Sequence, residues 1–223
     1  MSFLRHLRNK IKIFFHALKN PGHISSVTYR KYPKDSVFTG MRVLNVGCGT
    51  TTYPSPNVVN VDLFPNPGVN LVQDLSKTPY PLEANSFDLV IANHILEHVP
   101  NWWECFKECA RLVKPGGRVE VWLPGDGTSS QLGYRDHINV INYCSFHGTI
   151  GANRNQANAW ELEEAKKVGD VRSLELVERY TTLYSAWWVH MWPDCVINWM
   201  VEHLRNVATE QGFIFVKRPG RGQ

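Results

Sequence analysis

Long apolar runs, paired cysteines and a strong net charge are all missing from this chain of 223 residues. No uninterrupted apolar stretch approaches the ~20 residues that a membrane-spanning helix needs, and basic residues interrupt any signal-peptide core near the N-terminus. The five cysteines have no Cys-x-x-Cys spacing, which argues against a disulfide framework and a zinc knuckle. The net charge of +4 does not indicate a nucleic-acid partner. We therefore expect a cytoplasmic protein with free thiols.

A third glycine is also missing where a dinucleotide-binding protein would need one. The apolar run over residues 41–46 ends in Gly47-Cys48-Gly49, a sharp turn whose main chain is open to a flat ligand. The spacer that follows, residues 50–57, contains two prolines and leaves no room for a crossover helix. Because nicotinamide and flavin dinucleotides need that helix for their pyrophosphate, the turn predicts a different ligand.

Four further landmarks follow the turn in a fixed order. A second apolar run ends at Asp62, where a carboxylate can accept both hydroxyls of a ribose that lies over the turn. A third run ends at Asp74-Leu75. The last two landmarks are a buried strand over 87–92 that ends in Asn93-His94, and a Pro-Gly-Gly turn before a strand over 118–123.

Together these landmarks resemble the class I S-adenosylmethionine-dependent methyltransferases that carry a type-11 methyltransferase domain. The chain is especially similar to short predicted methyltransferases that read LNxGCG, NVDL and HxLEH, here residues 44–49, 60–63 and 94–98. The resemblance implies an α/β, Rossmann-like fold with a mostly parallel sheet and helices on both faces. It also implies S-adenosylmethionine as the cofactor, and this molecule has no phosphate that would require the missing helix.

The resemblance assigns nine residues to the cofactor site. Asp74 and Leu75 would hold the adenine amino group and cover its ring. Asn45 stands where many class I enzymes have an acidic residue that orders the turn and the methionine ammonium, so we expect a lower cofactor affinity. The predicted cofactor-binding residues are Asn45, Gly47, Cys48, Gly49, Asp62, Leu63, Asp74, Leu75 and Asn93.

His94, Glu97 and His98 are the predicted catalytic residues. In a helix, their spacing would place all three on one face at the end of the fourth strand. One could be the general base for a substrate hydroxyl, the three could ligate a divalent metal with His137 or His147, or Glu97 and His98 could only order the loop. The similar small-RNA 2′-O-methyltransferases and ubiquinone-pathway O-methyltransferases read ExxEH here, and the change to HxxEH places a magnesium preference in doubt.

Residues 3–19 predict an amphipathic helix with most of its basic residues outside the apolar stripe. We expect that stripe to pack on the domain or on a second subunit, as in a homodimer. The alternative is peripheral contact with an anionic membrane surface. Residues 22–39 predict a loop that crosses the cofactor site.

The chain therefore divides into residues 1–39, a helix and a loop, and residues 40–223, a methyltransferase domain with a substrate-side insertion at about 125–192. An Asn-x-x-Glu sequence at Asn101 is a near match to a capping box, and it predicts a helix that continues through Val113. Further predicted elements are a strand near 174–182, a helix over 193–211 and a strand over 213–217.

The expected reaction is methyl transfer to a hydroxyl of a sugar or glycan, or of another small polar acceptor. The sugar preference follows from the resemblance, because similar short proteins are often associated with surface-glycan assembly. The five tryptophans of the C-terminal third support it weakly, since indole faces stack on sugar rings. The alternative is a non-catalytic S-adenosylmethionine-binding or assembly protein, which Asn45 and the missing helix would suit.

Overall fold

The computed structural model describes residues 26–27, 38–146, 171, 173–183, 192, 196, 199–200, 204 and 208–219. The predicted helix over residues 3–19 lies outside these ranges, and so do His147 and most of the predicted helix over 193–211. None of the helices within the described ranges has the length and apolar character that crossing a membrane requires.

Eight strands form one mostly parallel sheet. They are β1 (Ser26–Val27), β2 (Val43–Val46), β3 (Val58–Asp62), β4 (Leu71–Val72), β5 (Phe87–Asn93), β6 (Val113–Pro124), β7 (Leu174–Leu183) and β8 (Ala208–Lys217). Their order across the sheet is β1-β7-β8-β6-β5-β2-β3-β4. Strand β8 runs antiparallel to β6 and β7, and the other neighbouring pairs are parallel. The predicted parallel α/β sheet is therefore confirmed.

The central strands have apolar side chains on both faces, as buried parallel strands do. In β2, Val43 pairs with Val58 on one side and with Leu89 on the other. Because successive side chains point to opposite faces, Val43 and Leu44 belong to two different core clusters. The sequence predicted the strand over 58–62 without error.

The longest described helix, α1 (Trp102–Leu112), covers the face on which the larger core cluster lies. It connects β5 to β6 and buries Phe106 and Leu112 completely. The predicted capping box at its start is wrong, because the Asn101 side chain makes no capping hydrogen bond. Glu104 instead lies 2.6 Å from the Lys107 ammonium, on the exposed side of the helix.

Two shorter helices follow β6 in the described part of the chain: α2 (Ser129–Gly133) and α3 (Tyr143–Phe146). On the opposite face of the sheet, Phe38 and Tyr53 pack edge to face at 4.9 Å and cover the smaller cluster. The connections between β2 and β5 contain no α-helix, as the two prolines after the glycine turn predicted for the first of them.

Three predicted boundaries differ from the structure. The predicted helix over 193–211 is wrong at its end, because Ala208 already begins strand β8, which pairs on both sides and buries Phe213 and Phe215. The predicted loop over 22–39 contains the short strand β1. Strand β6 begins at Val113, before the Pro-Gly-Gly turn, and its register against β5 shifts there.

Candidate functional site

A cavity of about 240 Å³ opens where β2, β3, β4 and β5 end. Ligands of open parallel sheets bind at the carboxyl ends of the strands, so the sheet itself indicates this position. The lining residues are Gly47, Asp62, Leu63, Phe64, Asp74, Leu75, Ser76, Ile95, His98, Val99 and Pro100. Of the predicted cofactor residues, five line the cavity, and so does His98 from the predicted catalytic group.

The glycine turn after β2 brings the main chain close to the loop that follows β5. Gly47 has a φ of +65°, and a Cβ added there would lie 2.2 Å from Cγ1 of Ile95. No larger residue fits without moving the Ile95 side chain. The turn thus forms one wall of the cavity from backbone, a surface against which a flat ligand can lie.

Asp62, the last residue of β3, holds this turn in place. Its Oδ2 accepts a hydrogen bond from the Gly49 amide at 2.7 Å, and its Oδ1 accepts one from the Phe64 amide at 3.0 Å. A carboxylate has about four acceptor positions, so each oxygen retains a lone pair for a ligand hydroxyl. This arrangement fits a ribose diol.

Asp74 lies on the next part of the cavity wall. Ser76 donates to its Oδ1 from both the hydroxyl, at 2.6 Å, and the amide, at 3.0 Å. These bonds, with a smaller effect of Lys77, lower the pKa of Asp74, which is therefore a carboxylate at neutral pH. Leu63 and Phe64 expose 51% and 63% of their surface at the same end of the cavity, where a planar base could cover them.

Four predicted cofactor residues do not line the cavity: Asn45, Cys48, Gly49 and Asn93. Gly49 contributes its amide to Asp62. Burial, together with the negative charge of Asp62, raises the pKa of the Cys48 thiol to about 11, so the thiol is protonated. Asn93 ends strand β5 beside the cavity.

Asn45 belongs instead to a buried amide network that the sequence did not reveal. Its Nδ2 donates to the Thr51 carbonyl at 2.9 Å and to Oδ1 of Asn60 at 3.0 Å. Asn60 in turn accepts from the Tyr53 amide and donates to the Tyr53 carbonyl and to Oδ1 of Asn70. The network fixes the spacer that replaces a crossover helix. Asn60 is a polar residue inside an apolar strand, and this pattern was the signal that could have identified it.

The predicted catalytic residues do not share a helical face. His94 has a φ of +49°, and only Leu96–His98 form a short 3₁₀ turn. The His94 ring lies between two carboxylates: Nδ1 is 3.2 Å from Glu97 Oε1, and Nε2 is 2.8 Å from Glu210 Oε1. The sequence missed Glu210 because the predicted helix over 193–211 included it.

The contacts with Glu97 and Glu210 set the charge of His94. Burial favours the neutral ring, but the hydrogen bonds with Glu210 and Glu97 outweigh it and raise the pKa of His94 to about 9. A histidine that is already protonated near neutral pH cannot accept a proton from a substrate. The predicted neutral base therefore does not fit His94, and His98 is the histidine that reaches the cavity.

His98 lies beside a loop that follows α2. Its Nδ1 is 3.0 Å from the Asp136 carbonyl oxygen, and its ring centroid is 4.7 Å from that of His137. The amides of Ile138 and Asn139 donate to the Glu97 carbonyl at 3.0 and 3.1 Å. These bonds bring side-chain atoms of Glu97, His98 and His137 within 4.8 Å of one another, a group that could hold a metal ion.

Comparisons with known proteins agree with this geometry. Residues 44–121 match the family model described as "Methyltransferase domain". The chain is 37% identical over 99 residues to a ubiquinone biosynthesis O-methyltransferase of Dechloromonas aromatica, covering 36% of this chain and 43% of the relative. It is 25% identical over 159 residues to a demethylmenaquinone methyltransferase of Lactococcus lactis, covering 61% and 63%. The chain thus spans about half the length of these curated relatives.

A solved structure supports the fold. A SAM-dependent methyltransferase from Archaeoglobus fulgidus superposes with a TM-score of 0.50 at 16% identity, covering 81% of this chain and 88% of that one. The glycine turn, Asp62 and strands β2 to β5 lie within or beside the matched residues. Residues 44–121 therefore match the methyltransferase domain family, and the chain has the fold of this solved methyltransferase.

Proposed function

We propose that this protein transfers the methyl group of S-adenosylmethionine to a hydroxyl oxygen of a small acceptor. The observation that carries the proposal is a single cavity that has the Asp62 carboxylate and the glycine turn on one part of its wall and His98 on another. The first part suits a nucleoside, and the second suits a hydroxyl that must lose a proton.

The residues present fit the cofactor. Asp62 would accept the ribose hydroxyls, Gly47 would let the ligand lie against the main chain, and Asp74 with Leu75 would hold the adenine end. When bound, S-adenosylmethionine supplies an electrophilic methyl carbon: its bond to the acceptor oxygen forms as its bond to sulfur breaks, and the electron pair stays on sulfur. The chain positions the acceptor and removes the hydroxyl proton.

His98 is the proposed residue at which that proton is lost. The distance of 3.0 Å to the Asp136 carbonyl indicates that Nδ1 carries the ring hydrogen and donates it. Nε2 is then the nitrogen with a free lone pair. Since His98 lines the cavity, an acceptor hydroxyl that enters there would meet this nitrogen.

Two acceptor classes satisfy this chemistry. The Dechloromonas relative is named an O-methyltransferase of ubiquinone biosynthesis, which favours a phenolic hydroxyl. The resemblance to short glycan-associated methyltransferases favours a sugar hydroxyl. Of the tryptophans that would support the sugar, Trp160, Trp187 and Trp188 lie outside the described residues, and Trp192 is exposed. We propose that the methyl-accepting group is a hydroxyl. Experiment decides whether a phenol or a sugar bears it.

The test is transfer of an isotopically labelled methyl group to a panel of catechols, free sugars and nucleotide sugars. We expect a product whose label lies on oxygen, formed by the wild-type protein and lost in Asp62→Ala. Cofactor binding without transfer to any hydroxyl would contradict the proposal and favour a non-catalytic binding protein. Labelling of nitrogen or carbon acceptors alone would contradict the hydroxyl assignment.

A further inference from the structure

We propose that Glu210 on strand β8 is a positioning residue for the acceptor end of the cavity: through the His94 ring, it holds the turn that brings His98 into the cavity wall. This inference rests on the proposed function and deepens it, because it names what keeps the imidazole where an acceptor hydroxyl would meet it. Glu210 is not among the described residues that line the cavity, and its effect would pass through His94.

His94 has a backbone conformation that residues with a side chain rarely adopt. Its φ of +49° lies in the left-handed region, where Cβ crowds the following carbonyl oxygen. Such a conformation persists only where the surrounding contacts enforce it. His94 directly follows β5, and the next residue, Ile95, already lines the cavity. The direction in which the cavity loop leaves the sheet therefore depends on His94.

Three contacts enforce the conformation of His94. Its amide donates to the Trp122 carbonyl of β6 at 2.9 Å. Its ring nitrogens lie 3.2 Å from a Glu97 oxygen and 2.8 Å from a Glu210 oxygen. Because the raised pKa of His94 keeps the ring cationic near neutral pH, both nitrogens carry a hydrogen and both contacts are made at once.

The two carboxylates belong to different parts of the fold. Glu97 lies in the 3₁₀ turn itself. Glu210 lies in the sheet, where it pairs with Pro124 of β6 on one side and with Thr182 of β7 on the other. Its side chain is only 20% exposed. The His94 ring therefore ties the turn to a strand that is itself held on both sides.

Further contacts of the turn come from the loop after α2. The Asn139 side chain donates to two carbonyls in and just after the turn, at 3.2 and 2.7 Å. These bonds hold the turn from the side of that loop, whereas the contacts of His94 hold the point where the turn leaves the sheet. If Glu210 is removed, the strained φ of His94 loses one of its three supports. We then expect His98 to move away from its place in the cavity wall.

Kinetics and calorimetry on Glu210 variants of the full-length protein test the proposal. Glu210→Ala should lower kcat by roughly 10–100-fold, the effect of a misplacement of about 1 Å at the reacting groups. The affinity for S-adenosylmethionine should stay that of wild type. Glu210→Gln keeps an oxygen that accepts from the His94 ring, so it should retain most of the kcat. Glu175→Gln, which removes a carboxylate that pairs with Arg218 on the same sheet, is the matched control.

A double-mutant cycle tests whether Glu210 acts through His94. In a His94→Gly background the ring is gone and glycine adopts the positive φ without strain, so Glu210→Ala should lower kcat no further. Losses that add would overturn the proposal, and so would a Glu210→Ala variant with the kcat of wild type. A kcat that falls only together with the Tm and the cofactor affinity would assign Glu210 to folding alone and would also overturn it. If Glu210→Ala does not fold, Glu210→Thr suits a strand and is too short to reach the ring.

Hydrogen exchange reports the position of the turn without any turnover. The His98 amide donates to the Ile95 carbonyl at 3.0 Å, and we expect it to exchange at least ~5-fold faster in Glu210→Ala than in wild type or Glu175→Gln. Unchanged exchange in Glu210→Ala would overturn the positioning role, whatever the activity, and would leave the proposed function intact in a protein that methylates hydroxyls. Faster exchange in a protein that methylates no hydroxyl would refute the proposed function and support the hold of Glu210 on the turn.

Discussion

Two histidines four positions apart in the sequence have different neighbours and therefore different chemistry. His94 lies between Glu97 and Glu210 and is cationic near neutral pH, whereas His98 contacts a backbone carbonyl and lines the cavity. The spacing HxxEH identifies both residues but does not distinguish them. Glu210 is 116 residues from His94 in the sequence, so this contact could not be predicted from a local pattern.

At the residue scale, Asp62→Ala should weaken S-adenosylmethionine binding by about 2–3 kcal/mol, the value for a lost hydrogen bond to a charged group. The reason is that both carboxylate oxygens line the proposed ribose position and also hold the turn. Calorimetry measures the affinity. Glu83→Gln, an exposed carboxylate elsewhere, is the control, and an affinity equal to wild type in Asp62→Ala would refute the assignment.

His98→Ala should lower kcat by roughly 10²–10⁴-fold, whether the imidazole acts as a base or as a metal ligand. Its affinity for S-adenosylmethionine should change little, because the ribose and adenine residues are other side chains of the cavity. Steady-state kinetics and calorimetry on the same preparation separate the two effects. A variant that keeps full kcat would remove His98 from the mechanism.

At the element scale, the connection between β2 and β3 shows how a short spacer can replace a helix. The buried Asn60 amide satisfies Asn45 and both backbone groups of Tyr53, and it bonds to Asn70. Asn60→Ala leaves these buried partners unpaired, so we expect a loss of about 3 kcal/mol of unfolding free energy. Urea unfolding measures it, with the exposed Asn57→Ala as the control. Equal midpoints for the two variants would contradict this role.

The start of β5 depends on a surface carboxylate. Asp88 accepts from the Lys114 ammonium at 2.7 Å and from the Arg42 amide at 2.8 Å, and these bonds, Lys114 first, lower the pKa of Asp88. A lowered folded-state pKa stabilises the protein above the unfolded-state value of about 3.9, and the effect is lost as pH falls through the folded-state pKa.

Asp88→Asn should therefore lower the Tm at pH 7 and have a progressively smaller effect below about pH 4. The loss of unfolding free energy at pH 7 should be no more than ~1 kcal/mol, because the Lys114 and Asp88 side chains are both more than a third exposed. Thermal unfolding of wild type and variant from pH 7 to pH 3 measures it. A gap that widens toward low pH would contradict the prediction.

The strands also show which secondary-structure elements sequence patterns can predict. The strands over 43–46, 58–62 and 87–93 are short apolar runs next to turn residues, and their positions were predicted to within two residues. The predicted strand began too late, at residue 213, because residues 209–211 carry polar side chains that suit either a helix or a strand. Pairing with β6 and β7 decides the matter, and that pairing is tertiary.

At the scale of the whole molecule, the parallel sheet gathers the functional residues at one edge. The turn after β2, Asp62 at the end of β3, Asp74 after β4 and His98 after β5 are distant in sequence but line one cavity. The order of the landmarks predicted this much. The metal interpretation of His94, Glu97 and His98 offered His137 or His147 as a further ligand, but no periodic pattern in the loop after α2 decided between them. Among the described residues, His137 lies beside Glu97 and His98.

A crystal structure of the protein with S-adenosylhomocysteine would test this arrangement most directly. We expect the ribose hydroxyls to lie within hydrogen-bond distance of the Asp62 carboxylate, the adenine between Leu63 and Leu75, and the sulfur toward His98. A ligand bound outside this cavity, or a ribose that does not contact Asp62, would contradict the proposed cofactor site and the methyl transfer that depends on it.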